Sequence, residues 1–170
     1  MTPKFEVRAV LAEHFGSGFT EANAAKTQQM SFAEVKKLIK LMGLSEEIPV
    51  FEGCKEVLPN EKTYVESPAS RYIVKEAMLE DCRPLFIVNQ GALTNLASAF
   101  LMEPRIAERL TAIWIGGASY PDGGREFNLF NDICAANVIM DSKMELWQVP
   151  ANVYQKMKVS FAVLYEKVNS

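Results

Sequence analysis

Short apolar runs set between longer stretches of helical periodicity constrain this chain more than any other feature. Residues 85–88 and 110–115 are almost wholly apolar, and residues 146–149 nearly so. A continuous apolar run of this length suits a strand covered on both faces. Residues 5–12 and 48–51 read as further strands. Between them, residues 31–42 place Phe32, Val35, Leu38, Ile39 and Met42 on one face of a 3.6-residue period. Ser31 and Glu34 make a capping-box pattern at its start, and Gly43 supplies a stop. Residues 68–79, with Pro68 in the first turn, 94–102, 132–140 and 160–167 read as helices. Strands alternating with helices predict βαβ units. The fold class is therefore α/β, an open and mostly parallel sheet flanked by helices. No repeat or linker interrupts the pattern, so residues 1–170 form a single domain. Residues 52–67 and 117–130 carry neither period and are expected to be surface loops.

Composition excludes several classes of function. A chain of 170 residues with 49% hydrophobic and 23% charged residues is globular rather than disordered. A net charge of −3 leaves no electrostatic footprint for nucleic acid. Lys36, Lys37 and Lys40 share their helix with Glu34 and read as a solvated face. Cys54, Cys82 and Cys134 are odd in number and widely spaced, which suggests neither a disulfide framework nor a zinc site. Met1 to Lys4 form no apolar signal core, and no run reaches the about 18 apolar residues of a membrane span. A cytoplasmic protein with no membrane partner is expected.

Two segments carry polar groups at predicted strand ends, where open α/β sheets bind ligands. The first is Gly91 to Leu96, after the strand at 85–88. Gly91 permits close backbone approach, and Thr94 either caps the following helix or turns an oxygen toward the cleft. The second follows Gly116-Gly117-Ala118: Glu126-Phe127-Asn128 presents a carboxylate and a carboxamide. If extended, it points Glu126 and Asn128 into a cleft and Phe127 into the core. Their donors and acceptors suit sugar hydroxyls, although exposed loop residues of these types are common. Asp132 reads as the N-cap of the helix at 132–140. His14, the one histidine, sits at the end of the first strand. It reads as a hydrogen-bonded structural residue, or as a substrate-binding residue and general acid.

Together these motifs resemble the inosine-uridine nucleoside hydrolase family, which shows a G-P-L-T-N-I/L-A segment, a G-G-A turn, and E-F-N followed by D-P-E-A-A. Here Gly91-Ala92-Leu93-Thr94-Asn95-Leu96, Gly116-Gly117-Ala118, Glu126-Phe127-Asn128, Asp132 and Ala135-Ala136 carry the likeness. The resemblance implies a nucleoside hydrolase-like, Rossmann-like core. It implies hydrolysis of the N-glycosidic bond of ribonucleosides to ribose and free base, in purine and pyrimidine salvage. Glu126 and Asn128 would bind ribose hydroxyls, and Thr94 would lend its main-chain carbonyl to a catalytic calcium ion. The partner is a small-molecule nucleoside or ribose. No G-x-G-x-x-G follows the first strand, which argues against a dinucleotide binder.

The departures are as specific as the matches. Ile133 and Cys134 replace the usual Pro and Glu, Tyr120 stands where the family has an Asn, and Glu13-His14 replaces the end of a V-A-G-N turn. The family's opening D-x-D-x-x-x-D-D cluster, source of calcium ligands and of the water-activating carboxylate, has no counterpart. Asp81, Asp122, Asp132 and Asp141 are the only aspartates, and no two share its spacing. The resemblance thus covers the middle of a family domain, lacking the N-terminal cluster and the C-terminal part. Calcium is implied as cofactor, without tight binding by this chain. The absent first strand belongs inside the family's sheet, so two strands are expected to need new partners by re-pairing or self-association. A non-catalytic ribose-binding or interaction module is the alternative.

Overall fold

The side chain of Asn23 accepts the N–H of Lys26 at 3.0 Å and so starts α1 (Ala24–Leu41), in a computed structural model that describes residues 5–16 and 23–168. The opening Met1 to Lys4 lies outside the described residues. Helix α1 begins before the expected Ser31 because Asn23 satisfies an early orphan N–H. It ends at Gly43, which takes a left-handed φ of 71° that other residues adopt only with strain. Then come β2 (Val50–Phe51), α2 (Pro68–Ala77), β3 (Phe86–Asn89), α3 (Thr94–Met102) and a 3₁₀ turn at Pro104–Glu108. β4 (Thr111–Ile115), α4 (Phe127–Asn131), α5 (Ile133–Asp141), β5 (Glu145–Val149), α6 (Ala151–Tyr154) and α7 (Phe161–Val168) complete the order. Among the described residues no helix is long and apolar enough to cross a membrane.

The first strand is shorter than its sequence suggests. Only β1 (Val10–Leu11) pairs, through Val10 N to Pro49 O and Ala12 N to Phe51 O, both at 3.0 Å. With β2 only two residues long, residues 5–9 find no ladder, and Phe5 and Val7 stay exposed. The helices α4 and α6 were not expected. α4 overturns the reading of 126–128 as extended, because Glu126 caps a helical turn and leaves Phe127 46% exposed instead of in the core.

Every ladder between named strands among the described residues is parallel, as the α/β pattern requires, but the sheet is in two pieces. β1 pairs with β2, while β3, β4 and β5 form a separate three-stranded sheet. No ladder joins β1 to β3 among the described residues. Re-pairing or self-association is the expectation, and among the described residues β1 pairs with β2 alone. Side chains stand in for a further ladder: the Tyr72 hydroxyl donates to Arg8 O at 3.2 Å, and Asn95 Nδ2 donates to Ala12 O at 2.9 Å.

The core lies on one side of the larger sheet. Ala112 and Trp114 of β4 point into it, against Ile73 of α2, Leu96 and Ala97 of α3, and Ala135 and Ile139 of α5. Trp114 is wholly buried, and its Nε1 donates to Gly91 O at 3.0 Å. Consecutive right-handed crossovers moving one way across a sheet place their helices on one face. α3 and α5 obey that rule.

Asn95 clasps β1, β2 and α2. Its Oδ1 accepts from Cys54 N at 2.8 Å and from Ser67 Oγ at 3.3 Å, while Nδ2 holds Ala12 O. Gly53 is glycine because a Cβ there would strike Ala12 O and the Asn95 side chain. Asn95→Ala would orphan two buried backbone groups, Ala12 O and Cys54 N. The expected cost is about 2–4 kcal/mol. Urea unfolding followed by circular dichroism should show a lower midpoint with an unchanged slope, and an unchanged midpoint would refute the clasp.

Candidate functional site

The carboxyl ends of β1, β3 and β4 converge, and one segment crosses all three. Gly117 after β4 takes a φ of 75°, which turns its N–H onto Glu126 Oε2 at 2.8 Å. The same oxygen accepts from Leu129 N at 2.9 Å, capping α4, and Oε1 accepts from the Tyr154 hydroxyl at 2.8 Å. Glu126 is 5% exposed and its carboxylate is fully engaged. Burial, and then the neighbouring Glu126 carboxylate, raise the pKa of the Tyr154 phenol. Asn128 Nδ2 donates to Ile115 O at 2.7 Å and to Gln90 O at 3.3 Å, tying the ends of β4 and β3 together. Asn131 Oδ1 accepts from Gly16 N at 2.6 Å, beyond β1.

A buried relay lies beneath this arc. Asp132 Oδ1 caps α5 through Ala135 N at 2.9 Å, and Oδ2 accepts from Leu58 N at 2.9 Å and from the Thr94 hydroxyl at 2.7 Å. Having given its proton to the carboxylate, Thr94 Oγ1 must accept from His14 Nε2, also 2.7 Å away. This assigns His14 as the neutral Nε2–H tautomer by its network. The other ring nitrogen, Nδ1, is buried and has no hydrogen-bond partner among the described residues. Burial lowers the His14 pKa below its ordinary 6.5, and the Asp132 charge opposes that shift. Glu13 sits alongside, accepting from Asn95 N at 3.1 Å and His14 N at 3.3 Å. Burial, reinforced by Asp132, holds its carboxyl well above the usual carboxylate range despite both N–H donors.

The structure brings all four residues singled out in the sequence to these strand ends, in two groups. Glu126 and Asn128 lie on the β3–β4 side, His14 and Thr94 on the β1 side, with the Gln90–Gly91 turn between them. His14 and Thr94 are 1% and 0% exposed, which makes them wall rather than surface. Thr94 is not the helix cap, because that position falls on Leu93, which makes no side-chain cap bond. Asp132 is the cap its position in the sequence suggests. Glu13 and Asn95 stand within quoted motifs without an assigned role, and Tyr154 lies outside every motif. A carboxylate immediately before His14 was the one available signal for Glu13, whereas Tyr154 arrives through a helix with no sequence signature.

Calcium takes six to eight oxygen ligands. Among the described residues no group of three or more His, Cys, Asp or Glu side chains could hold a metal ion. Asp132 and Glu13 are already occupied by N–H and O–H donors, and Thr94 lies in the first turn of α3, its carbonyl directed along the helix. These residues do not fit calcium. A groove of about 590 Å³ beside α2, lined by Phe51, Glu66, Pro68, Arg71 and Tyr72 among others, contains none of the site residues.

Comparison with known proteins gives the family and the fold. The sequence model of the inosine-uridine preferring nucleoside hydrolases matches residues 3–169. The inosine-uridine preferring nucleoside hydrolase of Crithidia fasciculata is 33% identical over 88 residues, 49% of this chain and 27% of that protein. The uridine nucleosidase of Saccharomyces cerevisiae is 28% identical over 178 aligned positions, 79% of this chain and 51% of its own length. A plant nucleoside hydrolase structure superposes with a TM-score of 0.61, covering 91% of this chain and 54% of its own at 21% identity, a likeness of fold. The chain spans about a quarter to a half of the curated relatives it matches.

With a single histidine, the imidazole titration can be read without assignment. The His14 midpoint should fall below 6.5, with the nitrogen shifts of the Nε2–H tautomer, and a midpoint at or above 6.5 would refute the buried relay. Below 6.5 the unfolded chain takes up a proton that the native state refuses, so this group lowers stability as pH falls. Glu13 acts in the opposite sense, because its native carboxyl keeps a proton above 4.5 and loses that advantage as pH rises. His14→Gln should therefore remove part of the stability loss between pH 7 and pH 5, measured by urea midpoints.

Proposed function

The chain belongs to the inosine-uridine preferring nucleoside hydrolase family, and we propose that it recognises ribonucleosides through the sugar at the carboxyl ends of β1, β3 and β4. The observation that carries this reading is the arc from Glu126 to Asp132, which fixes polar side chains across three strand ends at once. Asn128 is the accessible member, half-buried, with its Nδ2 committed to the backbone and its Oδ1 left to accept a sugar hydroxyl. Glu126 Oε1 already takes an O–H from Tyr154, and a sugar hydroxyl can replace that phenol as donor. His14, Thr94 and Asp132 form the rigid wall that holds the arc.

The family reaction adds the oxygen of water to the anomeric carbon, breaks the bond to nitrogen and leaves the base with a proton. In this reading the described residues contribute positioning, which lowers a barrier only when the attacking water is also held. No step is assigned to calcium, since the donor set does not fit it. The specific feature favouring a second reading, a ribose-binding module without hydrolysis, is that the acidic groups of the site are satisfied internally. We place the protein in the cytoplasm, in purine and pyrimidine salvage, a setting that suits three free cysteines.

Calorimetry with inosine, uridine and ribose tests the proposal. Saturable binding of all three is expected, weakened about 10-fold or more by Asn128→Ala, the equivalent of one lost hydrogen bond. Tyr154→Phe should bind at least as tightly as the unaltered chain. Absence of binding by any of the three would overturn the proposal. Release of free base, followed by chromatography with and without added calcium, separates the two readings: turnover assigns hydrolysis to this chain, and binding without turnover assigns recognition alone.

A further inference from the structure

The loop at 118–125 leaves β4 and returns to α4, and its two ends meet at one carboxylate. Gly117, just before the loop, donates its N–H to Glu126, just after it, at 2.8 Å. Gly117 O also accepts from Ala151 N at 3.0 Å, so the outgoing arm is held on two sides. Within the loop, Gly123 N donates to Ser119 O at 2.7 Å and closes a tight turn over 119–123. Gly124 lets the arms pass closely: its φ is 141°, and a Cβ there would stand 3.3 Å from that of Ala118. The Arg125 guanidinium lies 4.4 Å from the centroid of the Phe130 ring and ties the returning arm to α4. The loop is thus pinned at its base and closed across its middle.

Tyr120 lies within that turn and is 95% exposed. A single apolar side chain on a surface needs no explanation. What matters here is its placement. Tyr120 follows Gly117 so closely in sequence that its Cα lies within about 11 Å of the glycine whose N–H rests on Glu126. Glu126 and Asn128 are polar and suit hydroxyls, whereas Tyr120 is the one aromatic residue of the loop. It also stands where the nucleoside hydrolases have an asparagine, so an amide has given way to a ring. A tyrosine held on a closed turn offers a flat apolar face, and with two side-chain torsions it loses little freedom when that face is covered.

We propose that Tyr120 is the platform on which the base of a bound ribonucleoside stacks, while the sugar rests on Glu126 and Asn128. The inference rests on the proposed sugar recognition and extends it to the base. Stacking on an aromatic ring adds affinity whatever hydrogen-bonding edge a base carries, because every base has a π face. The two-ring base of inosine covers more of the phenol than the one-ring base of uridine. The chain therefore prefers nucleosides to free ribose, and inosine to uridine.

Titration of the unaltered chain, Tyr120→Ala and Tyr120→Phe with inosine, uridine and ribose measures that preference. Inosine is expected to bind the unaltered chain about 10-fold or more tighter than ribose. Tyr120→Ala should reduce the preference about 10-fold, and Tyr120→Phe, which keeps the ring, should retain it. Proton NMR gives a direct readout of stacking. The base protons of inosine should move upfield on binding to the unaltered chain and to Tyr120→Phe, and that shift should be lost with Tyr120→Ala. Circular dichroism spectra of both variants should match that of the unaltered chain, since so exposed a side chain leaves the core untouched. Ribose binding as tight as inosine binding would overturn this inference and leave the sugar reading standing. An undiminished preference in Tyr120→Ala would do the same. A chain that binds none of the three would overturn both.

Discussion

The carboxylate of Asp132 joins its own helix to two segments distant in sequence, and through one of them to a third. It caps α5, takes the N–H of Leu58 from the long loop after β2, and takes the hydroxyl of Thr94 at the start of α3. Through Thr94 it also orients His14 at the end of β1. A buried carboxylate is tolerable only when its oxygens meet donors, and Asp132 meets three. The strand ends therefore sit where this one charge requires them, and the arc above inherits their positions.

Asn95 does comparable work one residue further on, with neutral groups. Where a ladder between β1 and β3 is missing, its carboxamide gives Ala12 O a donor and Cys54 N an acceptor. Side-chain amides can substitute for sheet partners because the backbone requirement is for a hydrogen bond, whatever its source. The substitution serves strand ends well and strand middles poorly. The sheet is divided among the described residues, although its carboxyl ends are tightly organised.

The same organisation separates recognition from chemistry. Glu126 and Asn128 are held by main-chain partners on β3, β4 and α4, the frame that the proposed sugar recognition rests on. The acids nearest that frame, Glu13 and Asp132, spend their oxygens on internal donors. A carboxylate so engaged holds structure well and has little capacity left for a cation or a water. Fold and family are thus shared with the nucleoside hydrolases, while the donor chemistry of the described residues favours positioning.

Much of this architecture follows from the sequence alone. Apolar runs at 85–88, 110–115 and 146–149 became β3, β4 and β5 with small shifts at their ends, and α3 spans Thr94–Met102 as its periodicity predicts. These succeed because burial on both sides of a strand, or on one face of a helix, writes a local pattern. The motifs around Thr94, Glu126 and Asn128 identified the family for the same reason: their spacing is local. Tertiary structure decided the rest. Whether Phe127 faced the core depended on Glu126 finding Gly117 and Leu129, which no spacing within 126–128 encodes. His14 became an inward-facing imidazole only because Thr94 and Asp132, far along the chain, lay within 2.7 Å steps of it. Periodicity reports what a segment can bury, and only the assembled fold determines which partner it meets.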